Sequence, residues 1–95
     1  MKPAYVVGHI TVRDEDLWSE YRARVPETLA PWGGVLVFRA TRLAVLSGTE
    51  PHPDIVVIRF PDAAAVDGWF SSPAYQSLIP LRERAADMVL TSYET

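Results

Sequence analysis

Residues 4–29 read AYVVGHITVRDEDLWSEYRARVPETL, and the change of period inside this stretch decides the fold. Residues 4–13 alternate and are rich in β-branched side chains, which predicts a strand. Asp14 ends it. Its carboxylate can cap a helix, and Glu15 and Asp16 put negative charge at the positive end of the helix dipole. Leu17, Trp18, Tyr21, Val25 and Leu29 then recur at three- and four-residue spacing, so one helical face is apolar. Pro26 has no N–H and is expected to kink or divide this helix. Pro31, Trp32, Gly33 and Gly34 stop it, since a glycine just past a helix end accepts the left-handed cap conformation.

The same unit returns further on. Residues 35–46 are strand-like, and Gly48 opens a polar, proline-flanked connection through Thr49, Glu50, Pro51, His52, Pro53 and Asp54. Residues 55–60 form a third strand, ended by Pro61-Asp62, with Asp62 as the next helix cap. Residues 63–70 read helical. Ser72 caps a restart with Pro73 at its first position, and Tyr75, Leu78, Ile79, Arg82 and Ala86 then line one side. Pro80 is a second proline expected inside that helix. Residues 88–93 close the chain as a fourth strand. The order β-α-β-β-α-β is the split, ferredoxin-like α+β arrangement: one antiparallel sheet with two helices on one face, joined by right-handed crossovers.

Ninety-five residues leave room for one domain, taken as residues 1–95. The composition is globular, with 48% apolar, 22% charged and 11% aromatic residues. A net charge of -3, with eight scattered Arg and one Lys as the basic residues, makes a poor partner for nucleic acid or an anionic membrane. No apolar run approaches the ~20 residues of a membrane span, and no secretory signal is evident, so a cytoplasmic location is expected. With no cysteine there is no disulfide, thiolate metal site or Cys nucleophile.

Strand parity separates two faces. Val6, Gly8, Ile10 and Val12 fall with Leu36, Phe38 and Ala40, with Val56, Ile58 and Phe60, and with Met88 and Leu90. This set carries no charge and is assigned to the side under the helices. The other set includes Tyr5, Val7, His9, Val35, Val37, Arg39, Ile55, Val57, Arg59 and Val89. It is too apolar for a wet sheet face, which should show clean alternation. A patch of that size marks an interface, so a homodimer packed sheet against sheet is expected.

Tyr21, Pro26, Leu29, Trp32-Gly33-Gly34, Arg39, Gly48, Phe60-Pro61, Trp69-Phe70, Ser72-Pro73-x-Tyr75-Gln76 and Leu81-Arg82 with Ala85-Ala86 together resemble the domain-of-unknown-function 1330 family. The resemblance runs from Tyr5 to Tyr93. It implies membership of the dimeric α/β-barrel superfamily, a ferredoxin-like protomer whose sheet joins a partner's sheet. It supplies no catalytic residues, because the family has no settled activity. The resemblance also implies a place for a ligand, since in that superfamily small aromatic or polyketide-like substrates are often held between helices and sheet.

Two clusters carry candidate chemistry. His9 is a candidate general base or anion-binding donor, since imidazole chemistry works near neutrality; a hydrogen-bonded interface histidine is the simpler alternative. Arg39 and Arg59, placed on the same face as His9, could clamp a carboxylate, or else pair with acidic residues. Trp18, Tyr21, Trp69, Phe70 and Tyr75 could roof an aromatic-lined pocket, although aromatics at helical spacing are more often core. Buried Tyr21 and Tyr75 need partners, and Arg82 can supply one; its alternative is surface pairing near Glu83 or Asp87. His52, beside Glu50 and Asp54, is expected in an exposed loop. Two histidines on different elements make no metal site, and no phosphate-binding glycine loop is present.

The resulting expectation is a cytoplasmic homodimer binding a small organic molecule, such as a carboxylate or an aromatic, with no cofactor and no metal. The candidate ligand residues are His9, Arg39, Arg59, Tyr21, Trp69, Tyr75 and Arg82. A cofactor-independent monooxygenase- or isomerase-like enzyme and a structural dimer without ligand are the alternatives.

Overall fold

In a computed structural model, which describes residues 2–95, the elements run β1 (Ala4–Val12), α1 (Glu15–Leu29), a 3-10 turn (Ala30–Trp32), β2 (Val35–Thr41), β3 (Asp54–Phe60), α2 (Ala63–Ser71), α3 (Pro73–Gln76), α4 (Ile79–Ala85) and β4 (Ala86–Glu94). The strands form one antiparallel sheet in the order β2-β3-β1-β4. This is the ferredoxin-like α+β fold that the element order predicts.

Local chemistry sets the boundaries. The Asp14 carboxylate accepts from the Leu17 N–H at 3.1 Å, and Asp62 accepts from Ala65 at 2.8 Å, so both acidic caps satisfy first-turn donors. Ser72 caps α3 by accepting from the Tyr75 N–H. Gly33 takes the left-handed conformation, φ 71°, where the chain leaves the 3-10 turn.

Three sequence expectations change. Pro26 does not divide α1, which continues through it. Pro26 and Arg22 both face solvent, so the Arg22 carbonyl that loses its helical donor can be hydrated instead. Pro80 is not interior: the second helical region is three short helices, and Pro80 lies in the first turn of α4, where its missing N–H costs nothing. The strand expected over 35–46 ends at Thr41, because β3 begins at Asp54 and residues 42–46 have no strand to pair with.

The fourth change bears on function. β1 keeps an unbroken register with β3 and β4, so Ala4, Val6, Gly8 and Ile10 all face the helices, as parity predicts. β2 does not. Leu36 pairs with Ile58, but Phe38, not Val37, pairs with Val57, so a bulge at Val37 inserts one residue. Beyond it every side chain changes sides. Phe38 and Ala40 turn outward, while Arg39, opposite Val56, turns under the helices.

The core lies between that face and the helix layer, with Tyr75, Phe60, Trp69 and Ile10 its largest enclosed side chains. Most of the other face is open, with the β2–β3 connection approaching it at His9 and Thr11. Val35, Phe38, Val89 and Tyr93 are exposed there, and Val7, Ile55 and Val57 are half-buried. The protomer is a slab of 34 × 30 × 16 Å.

Candidate functional site

Three helices bring two phenols and a guanidinium together. Tyr21 (α1) and Tyr75 (α3) are buried with their hydroxyl oxygens 2.8 Å apart, and Arg82 (α4) donates to the Tyr75 oxygen at 2.8 Å. Of the two expected fates for Arg82, the structure shows the bond to the buried tyrosine. Burial, then the neighbouring Tyr75, pushes the Tyr21 phenol well above its ordinary value. Tyr21 therefore stays a neutral phenol, and either hydroxyl of the pair can be the donor.

The hydrogens can be counted. Whichever phenol donates to the other, one O–H of the pair has no acceptor among the described residues. The cluster offers one hydrogen bond more than it uses.

Trp69 (α2) seals the inner side. Its ring lies 4.2 Å from that of Tyr75, and its indole N–H donates to Thr28 Oγ1 at 3.0 Å, which in turn donates to the Val25 carbonyl. Trp18 stacks on Tyr21 with ring centres 5.2 Å apart.

Arg39 completes the constellation, because the bulge delivers it there. It is half-buried, and no carboxylate lies within ion-pair distance of it among the described residues. Burial, then the nearby Arg22 charge, holds its guanidinium below the ordinary value, while Tyr21 opposes the shift. With Ile10, Trp18, Arg22, Thr41 and Asp54 it lines a cleft of about 290 Å³. Deeper lies a cavity of about 20 Å³, roughly one water, bounded by Trp18, Tyr21, Arg39, Trp69, Met88 and Leu90. On the far side, Trp69 and Leu90 also wall a mainly apolar cleft of about 270 Å³ with Val66 and Phe70. Two clefts thus flank one narrow neck between helices and sheet.

The expected His9–Arg39–Arg59 cluster does not form. Arg39 lies on the opposite face, and Arg59, across from Tyr5, is four residue steps from the row of His9, about 13 Å away. A different grouping appears around His9. Its Nδ1 is 3.9 Å from Glu50 Oε2, and Glu50 Oε1 accepts from the His52 backbone N–H at 3.0 Å. His52 is half-buried with Nδ1 2.8 Å from Thr11 Oγ1, so it is not the free loop residue expected. Glu50 is the acidic neighbour that sequence reading did not connect to His9. Forty-one positions separate them, and only the return of the β2–β3 connection brings them together. Among the described residues no three His, Cys, Asp or Glu side chains could hold a metal ion, and no helix is long and apolar enough to cross a membrane.

Fold and site thus define the class: a ferredoxin-like α+β protein with an aromatic and cationic cleft between its two layers. The chain belongs to the family described as "Domain of unknown function (DUF1330)", whose pattern matches residues 3–94. No protein of curated function matches it. Among solved structures it is similar to RPA0582, a protein of unknown function from Rhodopseudomonas palustris, with 17% identity and a TM-score of 0.83 over 99% of this chain and 82% of that one. A dimeric ferredoxin-like protein of unknown function from Jannaschia sp. CCS1 superposes with a TM-score of 0.77 at 15% identity over 98% and 99% of the two chains. SnoaB, a cofactor-independent oxygenase from Streptomyces nogalater, does so with a TM-score of 0.72 at 11% identity over 100% and 94%. At these identities the likeness concerns the fold.

Proposed function

We propose that this protein is a homodimer that binds a small organic acid, its carboxylate held by Arg39 and Arg22 and its body against Trp18. Arg39 is the observation that carries this reading. A half-buried guanidinium with no anion beside it has lost water and gained no partner, which is unfavourable until an anion arrives. The cleft sets two guanidiniums against one carboxylate, Asp54, so it is locally cationic in a chain of net charge -3. With Tyr75 donating to Tyr21, the surplus hydrogen sits on Tyr21, which lines the neck, and there it would meet a second acceptor atom of the ligand. Planar, bidentate recognition of carboxylate is what guanidinium does best.

The homodimer reading rests on the uncovered sheet face. That face carries exposed Val35, Phe38, Val89 and Tyr93 beside half-buried Val7, Ile55 and Val57, more apolar surface than a solvated sheet face shows. The dimeric description of the Jannaschia neighbour agrees with it. Two such sheets meeting would form the dimeric α/β barrel, and nothing in the reading requires a cofactor or a location outside the cytoplasm.

Thermal unfolding with a panel of aliphatic and aromatic carboxylates tests the ligand class. A ligand at 100 times its Kd adds about 2.7 kcal/mol, a shift on the order of 10 °C for a chain this size. At least one acid should stabilise the wild type, its alcohol counterpart should not, and Arg39→Gln should abolish the effect. No shift with any acid, or equal shifts in Arg39→Gln, refutes the reading. The cofactor-independent enzyme remains a second reading for one reason: a phenolic donor at the neck is suited to hydrogen-bond an enolate oxygen. Turnover of an electron-rich phenol in oxygen, lost in Tyr21→Phe, would establish it.

A further inference from the structure

The connection between β2 and β3 is held at its base and bare at its tip. At the base, the Arg42 N–H donates to the Pro53 carbonyl at 2.6 Å and its guanidinium donates to the Glu50 carbonyl at 2.8 Å. His52 reaches Thr11, and Glu50 approaches His9, both on the outer face of β1. These ties place the connection on the same side of the slab as the uncovered sheet. At the tip, Leu43 is 101% and Leu46 97% exposed, and Val45 is 41% exposed. Residues 43–49 carry no charge. Two leucines held fully in water on a segment with a fixed base are a standing cost, and burying each is favourable by more than most surface contacts.

We propose that residues 42–53 of each protomer form an arm that packs onto the outer sheet face of a second copy, with Leu43 and Leu46 as its anchors. This rests on the homodimer reading and names the segment that completes the interface. A second copy fits for three reasons. The uncharged tip matches the apolar centre of the face, where Val7, Phe38, Ile55 and Val57 lie together. The chain carries both the anchors and the surface that would receive them, so a two-fold exchange satisfies both at once. Beside Leu43 a groove of about 260 Å³, lined by apolar Ala40, Pro53 and Ile55 and by polar His9, Glu50 and His52, is continuous with that face. A membrane is the poorer occupant, because the tip has no basic residue to draw it to anionic lipid.

Sedimentation equilibrium of the wild type and of Leu43→Ser/Leu46→Ser tests it. Four leucines per dimer would be returned to water, so the dimer Kd should rise at least 100-fold while circular dichroism stays unchanged. Leu46→Cys adds a second reading that does not depend on the double variant folding. As the chain's only thiol it should be alkylated slowly in the dimer and rapidly once dilution separates the protomers. A dimeric wild type with an unchanged Kd in the double variant, or with a freely reactive Leu46→Cys thiol, overturns the arm and leaves the homodimer reading standing. A wild type that is monomeric throughout, or that instead sediments with phosphatidylcholine vesicles, overturns both.

Discussion

Removing a hydroxyl from the Tyr21–Tyr75–Arg82 cluster should cost unequal amounts: more than an ordinary hydrogen bond at Tyr75, and about one such bond at Tyr21. Tyr75 is fully buried and accepts from Arg82. Tyr75→Phe therefore takes the acceptor from a half-buried cation and the partner from Tyr21, a loss of about 2–3 kcal/mol for a bond to a charged group. Tyr21→Phe leaves the Arg82 bond intact and strips one neutral bond, about 1 kcal/mol. Once Tyr75 has lost its oxygen, Tyr21 has no partner left to lose. The double variant should thus resemble Tyr75→Phe alone, with a coupling of about 1 kcal/mol. Urea unfolding of the wild type and three variants at pH 7 gives the four free energies. Additivity within about 0.3 kcal/mol would show that the two phenols do not act as a unit, and the proton count would fail with it. The pH dependence adds a signed check. Tyr21 ionises above its ordinary value of 10.0 when folded and near that value when unfolded. The folded state then holds a proton that the unfolded state releases. Its contribution is fully present below pH 10 and is lost as pH rises beyond it, at about 1.4 kcal/mol per unit. The difference between wild type and Tyr21→Phe should show that slope.

Gly8→Ala is predicted to destabilise by about 1–2 kcal/mol in urea unfolding. The added Cβ would lie 2.8 Å from both Met88 Cε and Val56 Cγ1, and Met88 is flexible enough to give only part of the way. Because Val56, Met88 and Leu90 also line the neck, the same methyl should weaken binding of any acid that stabilises the wild type. Asp14→Ala and Asp62→Ala should each cost about 1 kcal/mol and add in the double variant, since the caps serve different helices; a combined loss below 0.5 kcal/mol would refute their capping role.

The sequence disclosed most of the fold because β1, β3 and β4 pair without interruption. In such strands, alternation alone tells which side chains go under the helices. β2 escaped that rule at one residue. Val37 sits in the run Val35-Leu36-Val37-Phe38, all strand formers, and nothing there marks a bulge as a glycine would. The faces of Phe38, Arg39 and Ala40 were consequently reversed, and with them the composition of the site. Leu43, Ala44, Val45 and Leu46 continue the apolar run of β2, and only the absence of an opposing strand leaves them outside the sheet. The tyrosine cluster was accessible by a different argument, that buried hydroxyls need partners and Arg82 lies within reach. The Glu50–His9 approach was not accessible, because no local pattern links a loop carboxylate to a histidine forty-one positions earlier.

The irregularity at Val37 also divides β2 into two separately phased halves. Residues 35 and 36 take their phase from the turn at Gly33-Gly34, and residues 38–41 take theirs from the far end of β3. A gain or loss of one residue ahead of position 38 would be absorbed at the irregularity, leaving the guanidinium of residue 39 in place. The same indel between Phe38 and Arg39 would rotate that charge to the opposite side and leave the cleft with Arg22 alone against Asp54. Length variation in this strand is thus tolerated on one side of a single peptide unit and cancels the site's cationic excess on the other.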